Sequence, residues 1–244
     1  FENTLESLKF VFKHVDLSTL DSIVVSGCSS GAWSAFQWLH LIENYLKAKK
    51  SSAKLMAVMA GGYFIDYKNK VTKDHDFVMK FAEMYDFVNK ESPAVNKECL
   101  KDHMEKPYLC LMPEILMDYV KSPIILFQAQ YDSWQIYEIL GEKCVNDRQT
   151  LKNCNNEEKK GITEMRDYTM NLLGKALKKK KNLSIFSPAC VFHCFESMQR
   201  MTNELTVDGY KIDDVLTKFV DTKGEKQIIL IDKVDWPFNK HCAN

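Results

Sequence analysis

The stretch at residues 21–33, DSIVVSGCSSGAW, constrains the fold of this chain more than any other. Its β-branched run at residues 23–25 is too short for a helix and leads directly into a Gly-Cys-Ser-Ser-Gly turn. A helix-compatible segment, residues 31–50, follows the turn. A strand, a tight turn and a helix in this order predict that the G-x-S-x-G pattern at residues 27–31 is a nucleophile elbow. The alternative is an ordinary Gly/Ser turn between a strand and a helix.

The elbow hypothesis gives two neighbouring serines different roles. Ser29 would lie at the carboxyl end of the strand as the nucleophile. The backbone N–H of Ser30, at the start of the helix, would point to the place where an oxyanion forms. Gly27 and Gly31 are expected where the strand and helix backbones leave no room for a Cβ atom.

The composition limits the size of the domain and its partners. With 244 residues, 45% of them apolar, the chain can bury one large core, so we expect a single domain over residues 1–244. Lys+Arg and Asp+Glu both number 33, and this balance does not favour a nucleic-acid partner. No apolar run is long enough for stable membrane insertion. The oligomeric state is left open.

The chain contains eight cysteines, and four of them form two close pairs in polar, loop-like stretches. We predict the disulfides Cys99–Cys110 and Cys144–Cys154, and therefore an oxidising location, extracellular or in the lumen of the secretory pathway. An upstream segment is one candidate source of a partner for Cys28. The cysteines without an assigned partner are Cys28, Cys190, Cys194 and Cys242.

A glycosylation sequon supports the same location. Asn182 is followed by Leu and Ser in the Asn-x-Ser pattern, which predicts a glycan on Asn182. Such triplets also occur by chance, so the sequon adds to the cysteine pairs and does not replace them.

Two further candidate residues follow apolar strand-like runs. Asp132 comes just after the run PIILFQA at residues 123–129, where an open α/β sheet places catalytic groups. The alternative is that Asp132 caps the short helix that follows. His193 follows a second candidate strand, residues 183–187, and lies between Cys190 and Cys194. That loop also resembles half of a zinc site, but no second ligand cluster has a suitable spacing, so no metal is expected.

The order Ser29, Asp132, His193 along the chain is the α/β-hydrolase order. Parallel strands bring their carboxyl ends to one edge of the sheet, so these distant residues can converge. His193 would take the proton of Ser29 Oγ while Asp132 orients the imidazole, and water would hydrolyse the resulting acyl-enzyme. The predicted fold class is therefore α/β, a mostly parallel sheet with flanking helices.

Three motifs resemble those of a known family. GCSSG, YDSWQ and CVFHC are similar to the GCSAGG, YDSWQ and CFAHC motifs of the pectin acetylesterase family, which includes Notum. GGYFID resembles the family's segment after the second strand, and the likeness extends to near Cys242. The resemblance implies a secreted, disulfide-bonded serine carboxylesterase without metal or organic cofactor. It also implies that Ser29, not Ser30, is the nucleophile, with Asp132 as the acid and His193 as the base.

One departure from the family concerns the oxyanion site. The family has an N-terminal glycine-rich loop that donates further oxyanion hydrogen bonds, and nothing in this chain matches it. We therefore expect an N-terminally truncated domain that lacks the first strands of the sheet.

Three functions remain open at this stage. The first is a carboxylesterase that removes O-acetyl groups from polysaccharide or glycan, and the second is a Notum-like deacylase of longer acyl esters on protein or lipid. An open polar groove would favour the first and a deep apolar pocket the second. The third is a catalytically degenerate relative that binds glycan or acyl groups. The missing loop favours this third hypothesis, and the complete Ser29, Asp132 and His193 set argues against it.

Overall fold

The computed structural model describes residues 2–89, 95–145, 150–194 and 204–242. Within these residues the strands are short, and most of them consist largely of apolar and β-branched residues, as expected for strands buried in a sheet. In chain order they are β1 (Ser22–Cys28), β2 (Lys54–Ala60), β3 (Ile124–Phe127), β4 (Tyr131–Asp132), β5 (Leu183–Ser187), β6 (Val191–Phe192), β7 (Thr206–Val207), β8 (Tyr210–Lys211) and β9 (Ile229–Ile231).

Five of these strands form a parallel sheet in the order β1-β2-β3-β5-β9. A separate parallel pair joins β4 to β6, and β7 pairs with β8 in an antiparallel hairpin. Every residue of β3 and β5 is buried, and β3 is accordingly a continuous apolar run, whereas β5 includes the buried Ser184 and Ser187. The predicted α/β class with a mostly parallel sheet is confirmed.

Helices flank this sheet and connect its strands. In chain order they are α1 (Glu2–His14), α2 (Ser30–Ala48), α3 (Asp76–Met84), α4 (Lys97–Asp102), α5 (Pro113–Leu116), α6 (Ser133–Gln135), α7 (Asn156–Lys179) and α8 (Ile212–Asp221). Single π-helical turns, Tyr85–Asn89 and Ile136–Leu140, extend α3 and α6. No helix in the described ranges has the length and apolarity needed to cross a membrane.

Side chains on the two faces of the sheet belong to two buried clusters. Successive residues of a strand point to opposite faces, so Ile124 and Leu126 join one cluster while Ile125 and Phe127 join the other. The first cluster packs against α2 and α7, and the second packs against α8. Helices therefore cover both faces of the sheet, and its carboxyl edge is where the connecting loops begin.

Helix α7 begins earlier than its apolar periodicity indicates. The spacing of apolar residues predicts a helix over residues 162–181, but α7 starts at Asn156. Asn155 accepts hydrogen bonds from the N–H groups of Glu157 and Glu158, and Glu158 Oε2 accepts from the N–H of Asn155. This capping box stabilises a polar first turn that carries no apolar stripe, so the periodicity missed it.

Strand β1 lies at one edge of the five-stranded sheet. Within the described residues it is hydrogen-bonded to a single neighbouring strand, β2, in the register Ser22–Lys54 to Cys28–Ala60. Its Val24 side chain is 41% exposed, in contrast to the fully buried residues of β3. The turn that follows β1 is thus supported by the sheet on one side only.

Candidate active site

Ser29 occupies the turn between β1 and α2 in a strained conformation. Its φ is 55° and its ψ is −123°, values that a non-glycine residue rarely adopts. A Cβ atom at Gly27 would lie 2.4 Å from the carbonyl carbon of Gly31, so position 27 accepts only glycine. A Cβ at Gly31 would meet nothing within 4 Å. The expected lack of room therefore applies to Gly27, and for Gly31 it is wrong because its Cα faces open space.

The structure brings Ser29, His193 and Asp132 together at the carboxyl edge of the sheet. Ser29 Oγ lies 2.7 Å from His193 Nε2. His193 Nδ1 lies 2.9 Å from Asp132 Oδ1 and 3.0 Å from Asp132 Oδ2. A carboxylate only accepts hydrogen bonds, so Nδ1 carries the hydrogen and the lone pair of Nε2 faces Ser29 Oγ. We call this arrangement the Ser–His–Asp array.

Asp132 has two structural partners, the N-terminus of α6 and His193. Its Oδ1 accepts a hydrogen bond from the N–H of Gln135 at 3.0 Å, which caps α6. The same carboxylate faces His193. Strands β4 and β6 pair in parallel with Asp132 opposite Phe192, the residue before His193. The register of this small ladder therefore sets the distance between Asp132 and the imidazole.

Two glutamines that the sequence analysis did not single out hold Asp132 and a neighbouring segment. Gln128 Nε2 donates to Asp132 Oδ2 at 2.8 Å, and Gln128 Oε1 accepts from the N–H of Tyr63 at 3.2 Å. Gln135 Nε2 donates to the carbonyl of Tyr63 at 3.2 Å. Gln128 is 1% exposed, and its position at the end of an apolar strand was the available signal.

The Gly61-Gly62 pair after β2 packs against the His193 loop and α2. Gly61 has φ 55°, and a Cβ there would lie 2.4 Å from the carbonyl oxygen of His193. A Cβ at Gly62 would lie 2.3 Å from Ala32 Cβ. The backbone at this pair therefore approaches the rest of the protein closely, and the contact of Gly61 supports the position of His193.

All eight cysteines are in disulfides. The two pairs predicted from sequence spacing are bonded. The Cys190–Cys242 bond attaches the C-terminal segment to the loop before β6. The suggestion of an upstream partner for Cys28 is wrong, because Cys28 pairs with Cys194 within the chain. Since Cys190 and Cys194 are both in disulfides, neither offers a thiolate to a zinc ion. The four bonds are Cys28–Cys194, Cys99–Cys110, Cys144–Cys154 and Cys190–Cys242.

The structure also locates the two remaining candidates. Ser30 is the first residue of α2, so its N–H has no acceptor inside the helix and lies beside Ser29. Asn182 lies just before β5, and its amide nitrogen donates to the carbonyls of Lys121 and Ser122. Ser184 of the sequon is 1% exposed. The amide of Asn182 thus has a structural role, and its glycosylation stays a prediction.

A cluster of aromatic side chains, two of them buried, adjoins His193. Trp134 stacks on the imidazole with ring centroids 5.6 Å apart and an interplanar angle of 23°. Phe64 contacts both rings, at 5.1 Å from Trp134 and 6.3 Å from His193. The cluster continues through edge-to-face and tilted ring contacts to α2. Its members are Trp33, Phe64, Phe77, Phe81 and Trp134.

Comparison with known proteins places the chain in a family. The sequence model of the pectinacetylesterase family matches residues 8–243. Pectin acetylesterase 7 from Arabidopsis thaliana is 24% identical over 185 residues, covering 73% of this chain and 45% of that protein. Pectin acetylesterase 5 from the same plant is 21% identical over 240 residues, covering 93% of this chain and 53% of that protein. The chain thus spans about half the length of these relatives.

Solved structures show the same fold. Two crystal forms of the Wnt deacylase Notum from Drosophila superimpose with TM-scores of 0.78 and 0.75, each at 18% identity. The first match covers 98% of this chain and 64% of that one, and the second covers 97% and 64%. The match over residues 8–243 decides the family: this chain belongs to the pectinacetylesterase family.

Proposed function

We propose that this protein is a serine carboxylesterase that removes O-acetyl groups from polysaccharide or glycan. The observation that supports it most is the Ser–His–Asp array, with Ser29 Oγ 2.7 Å from His193 Nε2 at a strained elbow. Membership of the pectinacetylesterase family and the similarity to Arabidopsis pectin acetylesterases support the acetyl ester as substrate. Residues 1–244 would form one domain, and the four disulfides fit a secreted protein.

In the proposed reaction His193 acts first as a base. Its Nε2 takes the proton of Ser29 Oγ as the oxygen attacks the acyl carbon, and the Asp132 carboxylate stabilises the imidazolium. The tetrahedral oxyanion accepts a hydrogen bond from the Ser30 N–H at the start of α2. His193 then gives its proton to the departing alcohol oxygen, which leaves an acyl-serine.

The second half of the reaction repeats these roles with water. His193 Nε2 takes a proton from the water that attacks the acyl-serine and returns it to Ser29 Oγ when the acid leaves. The sum is ester plus water giving acid plus alcohol, with every proton carried by His193. This chemistry uses only groups of the chain.

A second candidate function is the hydrolysis of longer acyl esters. The partly exposed ring of Trp134 beside His193 supports it, because an aromatic ring next to the reacting carbonyl can pack against an apolar acyl chain. The similarity in fold to Notum, a Wnt deacylase, is compatible with it. The two functions share the Ser–His–Asp array and differ in the acyl group.

Hydrolysis of p-nitrophenyl esters from acetyl to palmitoyl, by the protein and by its Ser29→Ala variant, tests the proposal. Activity that depends on Ser29 and is highest for acetyl supports the acetylesterase. Activity highest for long chains favours the deacylase, since only an apolar pocket binds them well. If no ester is hydrolysed in a Ser29-dependent way, a non-catalytic binding protein becomes the better explanation.

A further inference from the structure

The Cys28–Cys194 disulfide joins the two residues that flank the reacting pair. Cys28 is immediately before Ser29, and Cys194 is immediately after His193. The bond closes a sequence separation of 166 residues and holds the two Cα atoms 6.1 Å apart. It is therefore a covalent link, one residue removed on each side, between the proposed nucleophile and the proposed base.

The backbone holds the two members of this pair separately, and the N–H of Ser29 also donates to the carbonyl of Ala60 at 2.9 Å. Ser29 follows β1, which in the described ranges is hydrogen-bonded to β2 alone. His193 follows β6, a two-residue strand that pairs with β4 outside the five-stranded sheet. In the part of the chain that the structure describes, no ladder connects β1 to β6. Gly61 also packs closely against the His193 carbonyl, a contact that involves the backbone of the two loops.

The Ser29–His193 hydrogen bond is sensitive to small movements. At 2.7 Å it is within the range for proton transfer, and a displacement of about 1 Å would break it. Misplacement of this size can lower a rate by about 100-fold. A link that restrains the two backbones would therefore act on the rate directly.

We propose that the Cys28–Cys194 disulfide is a positioning element that keeps His193 Nε2 within hydrogen-bond distance of Ser29 Oγ. Opening it lowers the rate of acyl transfer while the five-stranded sheet and the aromatic side chains beside His193 stay in place. This inference rests on the esterase function proposed above. If the disulfide only stabilised the fold, its removal would lower the melting temperature and leave kcat of the folded protein unchanged.

The accessibility of the four disulfides provides a way to open this one first. Cys28 and Cys194 are both partly exposed. Each of the other three bonds has at least one buried cysteine: Cys99 and Cys110 at 0%, Cys154 at 4%, and Cys190 at 0% exposure. A dissolved dithiol attacks an accessible disulfide sulfur, forms a mixed disulfide and closes to its own cyclic disulfide, leaving two cysteine thiols.

The first experiment compares two double variants. Cys28→Ala/Cys194→Ala removes the positioning link, and Cys144→Ala/Cys154→Ala removes a disulfide that closes a separation of only 10 residues elsewhere. We expect the first to lower kcat for p-nitrophenyl acetate by about 10- to 100-fold with KM changed less than about threefold. The control should keep kcat within about twofold, even if its melting temperature falls.

The second experiment uses the unaltered protein, so it decides the question if the first variant does not fold. Dithiothreitol is added stepwise, the opened bonds are mapped by mass spectrometry, and folding is followed by circular dichroism. We expect activity to fall in step with the opening of Cys28–Cys194 while the dichroism stays native. Removal of the dithiol and reoxidation should restore the activity.

Several results would overturn the positioning role. These are full kcat in folded Cys28→Ala/Cys194→Ala protein, full activity with Cys28–Cys194 open, or loss of activity only when the dichroism is lost. An equal fall in kcat in the Cys144→Ala/Cys154→Ala control would also overturn it. Failure of the esterase function itself is distinct, because the unaltered protein would then show no activity that Ser29→Ala removes.

Discussion

The imidazole of His193 is held differently on its two sides. On the acid side, Asp132 and the residue before His193 face each other in the β4–β6 ladder, and hydrogen bonds from Gln128 and Gln135 fix the carboxylate. On the nucleophile side, Ser29 follows an edge strand, and a disulfide links its segment to the His193 loop. One side relies on buried hydrogen bonds and the other on a covalent bond.

The difference follows from the topology. Asp132 ends β4, and His193, 61 residues later, directly follows the paired strand β6, so backbone pairing brings them together. Ser29 and His193 are 164 residues apart and follow strands β1 and β6, which do not pair in the described ranges. Where a ladder sets the geometry, polar side chains complete it. Where no ladder exists, a disulfide supplies the restraint.

The largest effect is expected when the hydrogen bond between the two sides of the array is removed. Ser29→Ala and His193→Ala should each lower kcat by about 10⁴-fold or more, because neither group can transfer the proton alone. The double variant should be hardly worse than either single one, as for groups that act as a unit. Steady-state kinetics with p-nitrophenyl acetate measures this. Losses that multiply would show that the two residues act independently.

The next largest effect tests the acid side at its charged group. Asp132→Asn should lower kcat by about 10³- to 10⁴-fold, because an amide can donate to Nδ1 and favour the wrong tautomer of His193. Asparagine caps helices as well as aspartate does, so α6 should remain capped and the melting temperature should change little. Kinetics and thermal unfolding on the same sample separate the two effects. A variant that keeps more than about a tenth of its activity would argue against the acid role.

A smaller effect is expected for the hydrogen bond that supports Asp132. Gln128→Leu removes the Nε2 donor to Asp132 Oδ2 and should lower kcat by about tenfold, since hydrogen bonds to charged groups contribute about 1.5–3 kcal/mol. Gln130→Leu is the matched control, because Gln130 is also buried but bonds to Arg166 and to the carbonyls of Ser187 and Asp232. Equal losses of kcat in both variants would show that burial of an amide, and not support of Asp132, is what matters.

The smallest effect on activity is expected at Glu114, which bonds to the segment after Gly61-Gly62. Burial raises the pKa of Glu114 to about 7 from 4.5; the N–H of Asp66, which donates to Oε2, lowers it in part, and the nearby Asp66 carboxylate raises it. The folded state thus binds the proton more tightly than the unfolded state. The contribution of Glu114 to the free energy of unfolding is therefore largest below about pH 4.5, decreases as the pH rises to about 7 and is constant above that pH. The total decrease is on the order of 3 kcal/mol.

Glu114→Gln removes this titration and keeps an acceptor for the Asp66 N–H. It should raise the free energy of unfolding by about 1–3 kcal/mol at pH 8 and change it little at pH 4.5, with kcat unaltered. Urea unfolding at the two pH values is the measurement. Glu98→Gln, at an exposed ion pair with Lys121, is the control and should show no such pH difference. A gain of the same size at both pH values would mean that the carboxyl is ionised throughout.

The sequence predicted much of this architecture for clear physical reasons. The β-branched runs of β1 and β3 have a strand's length and composition, and parallel strands must end at one edge, so Ser29, Asp132 and His193 could be placed together. The start of α7 could not be placed, because a capping box depends on polar residues without periodicity.

The disulfide and the glutamine that support the Ser–His–Asp array could not be identified from the sequence. After the two short-range cysteine pairs are assigned, four cysteines still allow three pairings, and spacing cannot choose a bond across 166 residues. Gln128 ends an apolar run, but only the fold shows that its amide meets Asp132 on one side and Tyr63 on the other. The sequence therefore indicates which residues lie at the ends of strands, but it does not indicate which distant segments contact each other.

We propose that Ser29 is an activated nucleophile, and covalent labelling provides the decisive test. The protein, Ser29→Ala and Ser30→Ala are each treated with a fluorophosphonate, and the modified residue is located by peptide mass spectrometry. We expect one adduct on Ser29, its absence in Ser29→Ala, and its persistence in Ser30→Ala, where the backbone N–H is retained. No adduct on the unaltered protein, or an adduct that survives Ser29→Ala, would contradict the claim.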